Sequence, residues 1–160
     1  MPKRTYREFK QGQFKPINKQ KCLNKTNPEY RSGLEMKVMT VLDKNPNVLE
    51  WSSEMIVIPY IHPVKTAQSG SPQYSRYFVD FYIKLKVGET VKELVVEVKP
   101  KKQCSKPQAH GNKKTSTLLY ENVMWAVNQA KWEAATAYCK KKNYIFVIIN
   151  EDNIDSILSS

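Results

Sequence analysis

Six segments of the chain carry a periodic apolar pattern, and the clearest is residues 76–87. There Tyr77, Val79, Phe81, Ile83, Leu85 and Val87 alternate with Arg76, Phe78, Asp80, Tyr82, Lys84 and Lys86. Alternation sends successive side chains to opposite faces, so the segment predicts one strand with an unbroken apolar side. Gly88-Glu89 supplies a turn, and residues 93–99 return as the second strand of a hairpin. A β-branched run over residues 55–60, punctuated by Pro59 and Pro63, predicts a further strand. Residues 62–75, rich in Ser with Gly70 and Pro72, read as a loop. Leu34, Val38, Val41 and Leu42 stand at helical spacing, and Asn45-Pro46 ends that helix. Its start, Ser32-Gly33-Leu34-Glu35, has the form of a capping box in which Glu35 reaches back to the Ser32 backbone. Residues 118–142 predict a long helix with Leu119, Val123, Ala126, Val127, Ala130, Ala134 and Tyr138 on one stripe. Residues 144–149 are apolar throughout, which predicts a central, buried strand. The order helix, three strands, helix, strand describes a mixed α/β layer fold with at least one parallel crossover.

Charge adds what periodicity cannot. The chain has 160 residues, enough for one domain with a real core, and its 26 Lys and Arg against 15 Asp and Glu give a net charge of +11. Such a balance favours a polyanionic partner, with nucleic acid ahead of an anionic membrane or an RNA-rich assembly. No stretch approaches the roughly 18 apolar residues that span a bilayer, so no membrane partner and an intracellular, soluble protein are expected. Three cysteines without C-x-x-C spacing argue against a disulfide framework or a zinc knuckle, and two histidines argue against a His-rich metal site. Residues 1–26 hold eight Lys and Arg and a single acid, Glu8, with no apolar period. They read as a mobile or partly ordered basic arm, which divides the chain into an arm at 1–28 and one domain at 29–160.

The polar residues of the hairpin carry the chemistry. On the strand 93–99 the odd residues Glu97 and Lys99 share a face, and Leu94, Val96 and Val98 point the other way. Asp80 lies on the non-core side of the partner strand, where a hairpin register brings it to Glu97. Two carboxylates about 4 Å apart repel by roughly 4 kcal/mol at an effective dielectric of 20. A cation between them removes that cost, and oxygen ligands suit Mg²⁺ or Mn²⁺. The ordinary reading of Glu-x-Lys on one strand is a solvated face. Asp80 weakens it, because an unpaired charge between Phe78 and Tyr82 is expensive. The loop after Lys99 weakens it further, since residues 98–120 contain six lysines and no acid. Glu35 has two readings that are compatible, a capping residue and a carboxylate extended toward the metal.

An acid on a first helix, an Asp on one hairpin strand and Glu97-Val98-Lys99 on the next resemble the PD-(D/E)XK nuclease superfamily over roughly residues 30–150. Val79 departs from the pattern where the family name has Pro, a position that coordinates nothing. The resemblance implies a restriction-endonuclease-like core, a mixed sheet flanked by helices, and so a nuclease domain over 29–160. Longer stretches narrow it: Asn45-Pro46-Asn47-Val48-Leu49-Glu50-Trp51-Ser52-Ser53-Glu54, Ile58-Pro59-Tyr60, Arg76-Tyr77-Phe78-Val79-Asp80-Phe81-Tyr82, Glu97-Val98-Lys99-Pro100-Lys101-Lys102-Gln103 and Ala130-Lys131-Trp132-Glu133-Ala134-Ala135. These are similar to the head completion nucleases of T-even-like tailed phages. That likeness implies an endo- or exodeoxyribonuclease acting on packaged DNA before heads join tails. Its partners would be DNA and phage head or neck proteins, and its place the host cytoplasm during virion assembly or the virion itself.

Residue types then suggest roles. Asp80, Glu97 and the Val98 carbonyl are expected to hold Mg²⁺, with Mn²⁺ as a substitute and Glu35 acting through water. Lys99 is expected to stabilise the attacking hydroxide or the transition state as a point charge. Lys101 and Lys102 should meet the DNA backbone, with Gln103 as a helper for phosphate or water unless it is only an exposed loop amide. Lys131 is a further candidate for contact with DNA, facing either the site or solvent. Trp125 and Trp132, seven apart on one helix face, suit core or subunit packing better than base stacking. The lysines at 140, 141 and 142 complement a helix C-terminus, and His110 reads as a solvated residue rather than a general base. No helix offers an evident base-reading set, so little sequence preference is expected. Two rivals remain: a non-catalytic basic module that binds nucleic acid or scaffolds a virion, and a transposase- or resolvase-type endonuclease.

Overall fold

The computed structural model describes residues 11–158. In chain order the strands and helices are β1 Gly12–Gln13, β2 Glu29–Tyr30, α1 Gly33–Lys44, β3 Val48–Ser53, β4 Val57–Ile61, α2 Pro63–Ser69, β5 Tyr74–Phe78, β6 Phe81–Val87, β7 Thr90–Val98, α3 Thr115–Lys142, β8 Ile145–Ile149 and α4 Ile154–Leu158. The central sheet has the order β3-β6-β7-β8, with β3, β6 and β7 antiparallel and β8 parallel to β7. Helix α3 is the crossover between β7 and β8, as a parallel pair requires.

Each face of the sheet builds its own core. Val38, Met39 and Leu42 of α1 pack against Trp51, Phe81, Ile83, Leu85, Leu94 and Val96, and α4 closes this side with Ile154 and Leu158. On the other side Val127, Ala135 and Cys139 of α3 pack against Val95 and against Ile58, Tyr60, Tyr77 and Val79. The even residues of β7 serve the first core and Val95 the second, as period-2 geometry dictates.

The strand expected over 76–87 is two strands. Its alternation is continuous, yet Tyr77 and Val79 enter the α3-side core and Phe81, Ile83 and Leu85 enter the α1-side core. The cause lies in the partner strand. Ser53 pairs with Phe81 and Val57 with Phe78, so three residues oppose two. This extra residue is a β-bulge, with Glu54 at a left-handed φ of 54°, and a bulge bends its ribbon. Beyond the bend, β4 and β5 form a separate two-stranded sheet that leaves the central one and covers α3. Asp80 sits at the bend, its carbonyl accepting from the Glu54 N–H at 3.1 Å.

Other expectations are corrected. Strand β3 has no alternation to read, because Trp51, Ser52 and Ser53 are buried in succession. It, and not residues 55–60, pairs with β6 in the four-stranded sheet, at the sheet's edge. The loop expected over 62–75 contains α2, which starts with His62 Nδ1 accepting from the Lys65 N–H, has Pro63 in its first turn, and ends at Gly70 with φ 76°. Strand β8 lies at the sheet edge rather than the centre; Ile149 is buried but Ile145 is 45% exposed. Of the two readings of the basic arm, mobile or partly ordered, the segment from residue 11 fits the second. Phe14 meets the Trp51 ring edge-on at 6.0 Å, Asn24 exchanges hydrogen bonds with the Ser53 backbone, and β1 pairs with β2. Single anchors of this kind leave no period in a sequence. The first ten residues of that arm lie outside the described residues. Among the described residues no helix is long and apolar enough to cross a membrane.

Candidate active site

Strand β7 delivers Glu97 and the bend delivers Asp80. The β6–β7 register pairs Phe81 with Val96, so one further step sets Asp80 opposite Glu97. Residues opposite one another share a face, and that face is the α3 side, where Val95 packs two residues before Glu97. Glu97 is only 5% exposed. Its Oε2 accepts from the Tyr77 hydroxyl, and its Oε1 lies 3.4 Å from Lys99 Nζ. Asp80 Oδ2 accepts from the Val98 N–H at 2.7 Å. The structure therefore brings Asp80, Glu97, Val98 and Lys99 together.

Electrostatics report how tightly. Burial, then the Glu97 charge, then that of Glu35 hold the Asp80 carboxyl well above the usual aspartate range, against opposing pulls from the Val98 N–H and Lys99. The Tyr77 phenol is pushed up by burial and by Glu97, so it stays protonated and remains a donor. A buried Glu97 and a half-buried Asp80 held face to face, the latter driven toward its neutral form, are a site short of positive charge. Their oxygens, with the Val98 carbonyl, are a hard donor set that fits a divalent cation of the Mg²⁺ type. Among the described residues no three His, Cys, Asp or Glu side chains converge as a self-sufficient metal cluster. A cation held by the two carboxylates could take further oxygens from that carbonyl or from water.

Glu35 is, through its charge, a lesser contributor to the rise at Asp80. Its capping role differs from the expected one. Ser32 Oγ accepts from the Glu35 N–H at 3.1 Å, but the Glu35 carboxylate accepts from the Arg31 N–H at 2.9 Å rather than from Ser32. Cap and acidic neighbour coexist in one residue.

Pro100 starts a single 3₁₀ turn over Lys101–Gln103, on the surface. Lys101 is not a free cation: its Nζ lies 2.6 Å from Asp152, and its N–H donates to Glu151 at 2.9 Å. Lys102 and Gln103 are exposed. Lys131 faces the site side and not bulk solvent, with Nζ 5.5 Å from the Tyr77 ring centre and 5.8 Å from that of Tyr60. Trp132 turns inward and meets Trp125 edge-on at 5.8 Å. The sequence reading missed Tyr77 as a site residue. It counted as one of six apolar positions, and only its hydroxyl, two residues before an acid's strand neighbour, hinted otherwise.

Residues 45–151 match the family model described as TnsA-like endonuclease N terminal. The chain is also 33% identical over 131 residues to the head completion nuclease of Enterobacteria phage T4, covering 80% of this chain and 81% of that protein. The family match takes in Asp80, Glu97, Val98, Lys99 and Lys131, and leaves Glu35 outside. The mixed sheet between α1 and α3 is the restriction-endonuclease-like arrangement of this PD-(D/E)XK-type domain.

Proposed function

The chain belongs to the TnsA-like endonucleases, and from that premise we propose that it is a Mg²⁺-dependent deoxyribonuclease whose centre is Asp80, Glu97 and Lys99. The observation that carries this reading is the opposition of Asp80 and Glu97 beside Lys99. A divalent cation bound there supplies Lewis acidity, lowering the pKa of water and neutralising charge on the phosphoryl oxygens. The protein's own groups do the rest. The Val98 N–H fixes one Asp80 oxygen and leaves Oδ1 for the ion. The Tyr77 hydroxyl fixes one Glu97 oxygen in the same way. Lys99 stabilises the charge that grows on attacking and phosphoryl oxygens, and Glu35 orients water at the Asp80 side. Lys102 and Gln103 hold the backbone of the substrate, with Lys101 assisting once it parts from Asp152.

The proposed setting is completion of phage heads, as the name of the T4 relative suggests. DNA is the substrate, head or neck proteins are the assembly partners, and the host cytoplasm or the virion is the location. Cutting is proposed to be both internal and from ends, with little sequence preference, since no helix sequence offers an evident base-reading set. Supercoiled and linear DNA incubated with Mg²⁺ test this. Relaxation of the circle and shortening of the linear form, both abolished by a chelator, are expected. Salt-sensitive binding without any metal-dependent cleavage would instead identify a non-catalytic basic module.

A further inference from the structure

Strand β5 carries more than Tyr77. Tyr60, His62, Lys65, Tyr74, Arg76 and Phe78 line a cleft of about 500 Å³ formed by β4, β5 and α2. No carboxylate lines it among the described residues. Tyr74, Arg76 and Phe78 share the outer face of the strand, where Tyr74 is 71% and Phe78 45% exposed. The Arg76 guanidinium lies 5.5 Å from the Phe78 ring centre. Lys65 Nζ reaches Ser75 Oγ at 3.1 Å on the cleft wall, and Lys131 stands over Tyr60. His62 accepts a backbone N–H at Nδ1, which puts its proton on Nε2 as a neutral donor; burial and then the charges of Lys65 and Lys131 favour that neutral form.

Exposed aromatic faces interleaved with cations suit a strand whose bases are not paired. A duplex keeps its base faces stacked inside, so a duplex binder gains from the cations but not from Tyr74 and Phe78. The cleft also lies close along the chain to the candidate centre. Phe78 precedes Asp80 by two residues, about 7 Å of extended chain. Tyr77, on the opposite face of the same strand, donates to Glu97. We propose that this cleft holds unpaired nucleotides next to the scissile phosphate, so that the preferred DNA has a single-stranded or frayed segment beside the cut. Tyr74 and Phe78 stack on bases, and Arg76, Lys65 and Lys131 meet phosphates. The proposal rests on the nuclease reading and names its substrate class.

The test measures binding of a labelled oligothymidylate and of a blunt duplex in the presence of a chelator, by fluorescence anisotropy. Tyr74→Ala and Phe78→Ala are expected to lower the ratio of single-strand to duplex affinity about five-fold or more each, the usual effect of losing one stacking partner. Phe78→Leu, which keeps apolar packing, should lower the ratio similarly; its thermal midpoint confirms the fold. Equal weakening on both DNAs, or none on either, overturns the proposal. Mg²⁺-dependent cleavage of a supercoiled plasmid is run alongside. Cleavage with an unmoved affinity ratio sinks the cleft and leaves the nuclease standing. Aromatic-dependent binding in a protein that cuts no DNA sinks the placement beside a scissile phosphate.

Discussion

Two regions of this protein bury acids, and they resolve the cost in opposite ways. At the end of α1, Asp43 is 1% exposed, and its oxygens accept the backbone N–H groups of Asn18 at 2.9 Å and Ile17 at 3.0 Å. The Asn18 side chain and Lys21 also bind the Asp43 carbonyl, at 2.8 and 3.0 Å. Residues 17 and 18 supply both N–H donors to the carboxylate, which is thus complete within the chain. At the β5–β6 bend, Asp80 and Glu97 face one another with one or two donors each, and burial followed by the Glu97 charge drives the Asp80 carboxyl up. Lys99 meets only part of that charge, and the proposed divalent cation would supply the rest. Burial of an acid is thus a poor mark of function; opposition of two like charges is a better one.

The contrast breaks most sharply on removal of charge. Glu97→Gln or Asp80→Asn should lower the DNA cleavage rate by about 10³-fold, since loss of a metal ligand forfeits several kcal/mol of transition-state stabilisation. Asp43→Ala should do the reverse. Orphaned N–H groups at residues 17 and 18 should cost about 2–4 kcal/mol of stability, read by chemical denaturation, with cleavage per folded molecule retained. Tyr77→Phe removes one donor from Glu97 and should slow cleavage about ten-fold with the fold intact.

The pH dependence of the metal-free protein sharpens the comparison further. Asp80 has a folded-state pKa above its unfolded value of about 3.9. Its contribution to stability is therefore fully present below that value and is lost as pH rises through the raised folded-state pKa. The slope is at most about 1.4 kcal/mol per pH unit. Denaturation curves in a chelator should show this loss in the native protein and lack it in Asp80→Asn. A divalent cation should restore the stability lost at higher pH. The smallest effects belong to the surface lysines. Lys102→Ala should reduce the salt slope of duplex binding by about 0.9, and Lys101→Ala by less, because Asp152 already meets that charge.

The site was more legible in the sequence than the fold around it. Asp80, Glu97 and Lys99 could be placed together because a two-residue turn at Gly88-Glu89 fixes the hairpin register, and register fixes which side chains face. What escaped were features set by partners far along the chain. The bend at Asp80 depends on an extra residue near Glu54, on a different strand, and no alternation within 76–87 signals it. Strand β3 escaped because a buried Ser pair follows Trp51. The expected burial of β8 rested on its apolar run alone, and an edge position under α3 accounts for that run equally well. Tyr77 escaped because its ring belongs to a core while its hydroxyl belongs to the site.

The most direct measurement is a calorimetric titration of Mg²⁺ or Mn²⁺ into the native protein and into Asp80→Asn and Glu97→Gln. Saturable binding to the native protein is expected, weakened about ten-fold or more in each variant. Undiminished binding in both variants would contradict the claim that Asp80 and Glu97 are the pair that holds the ion.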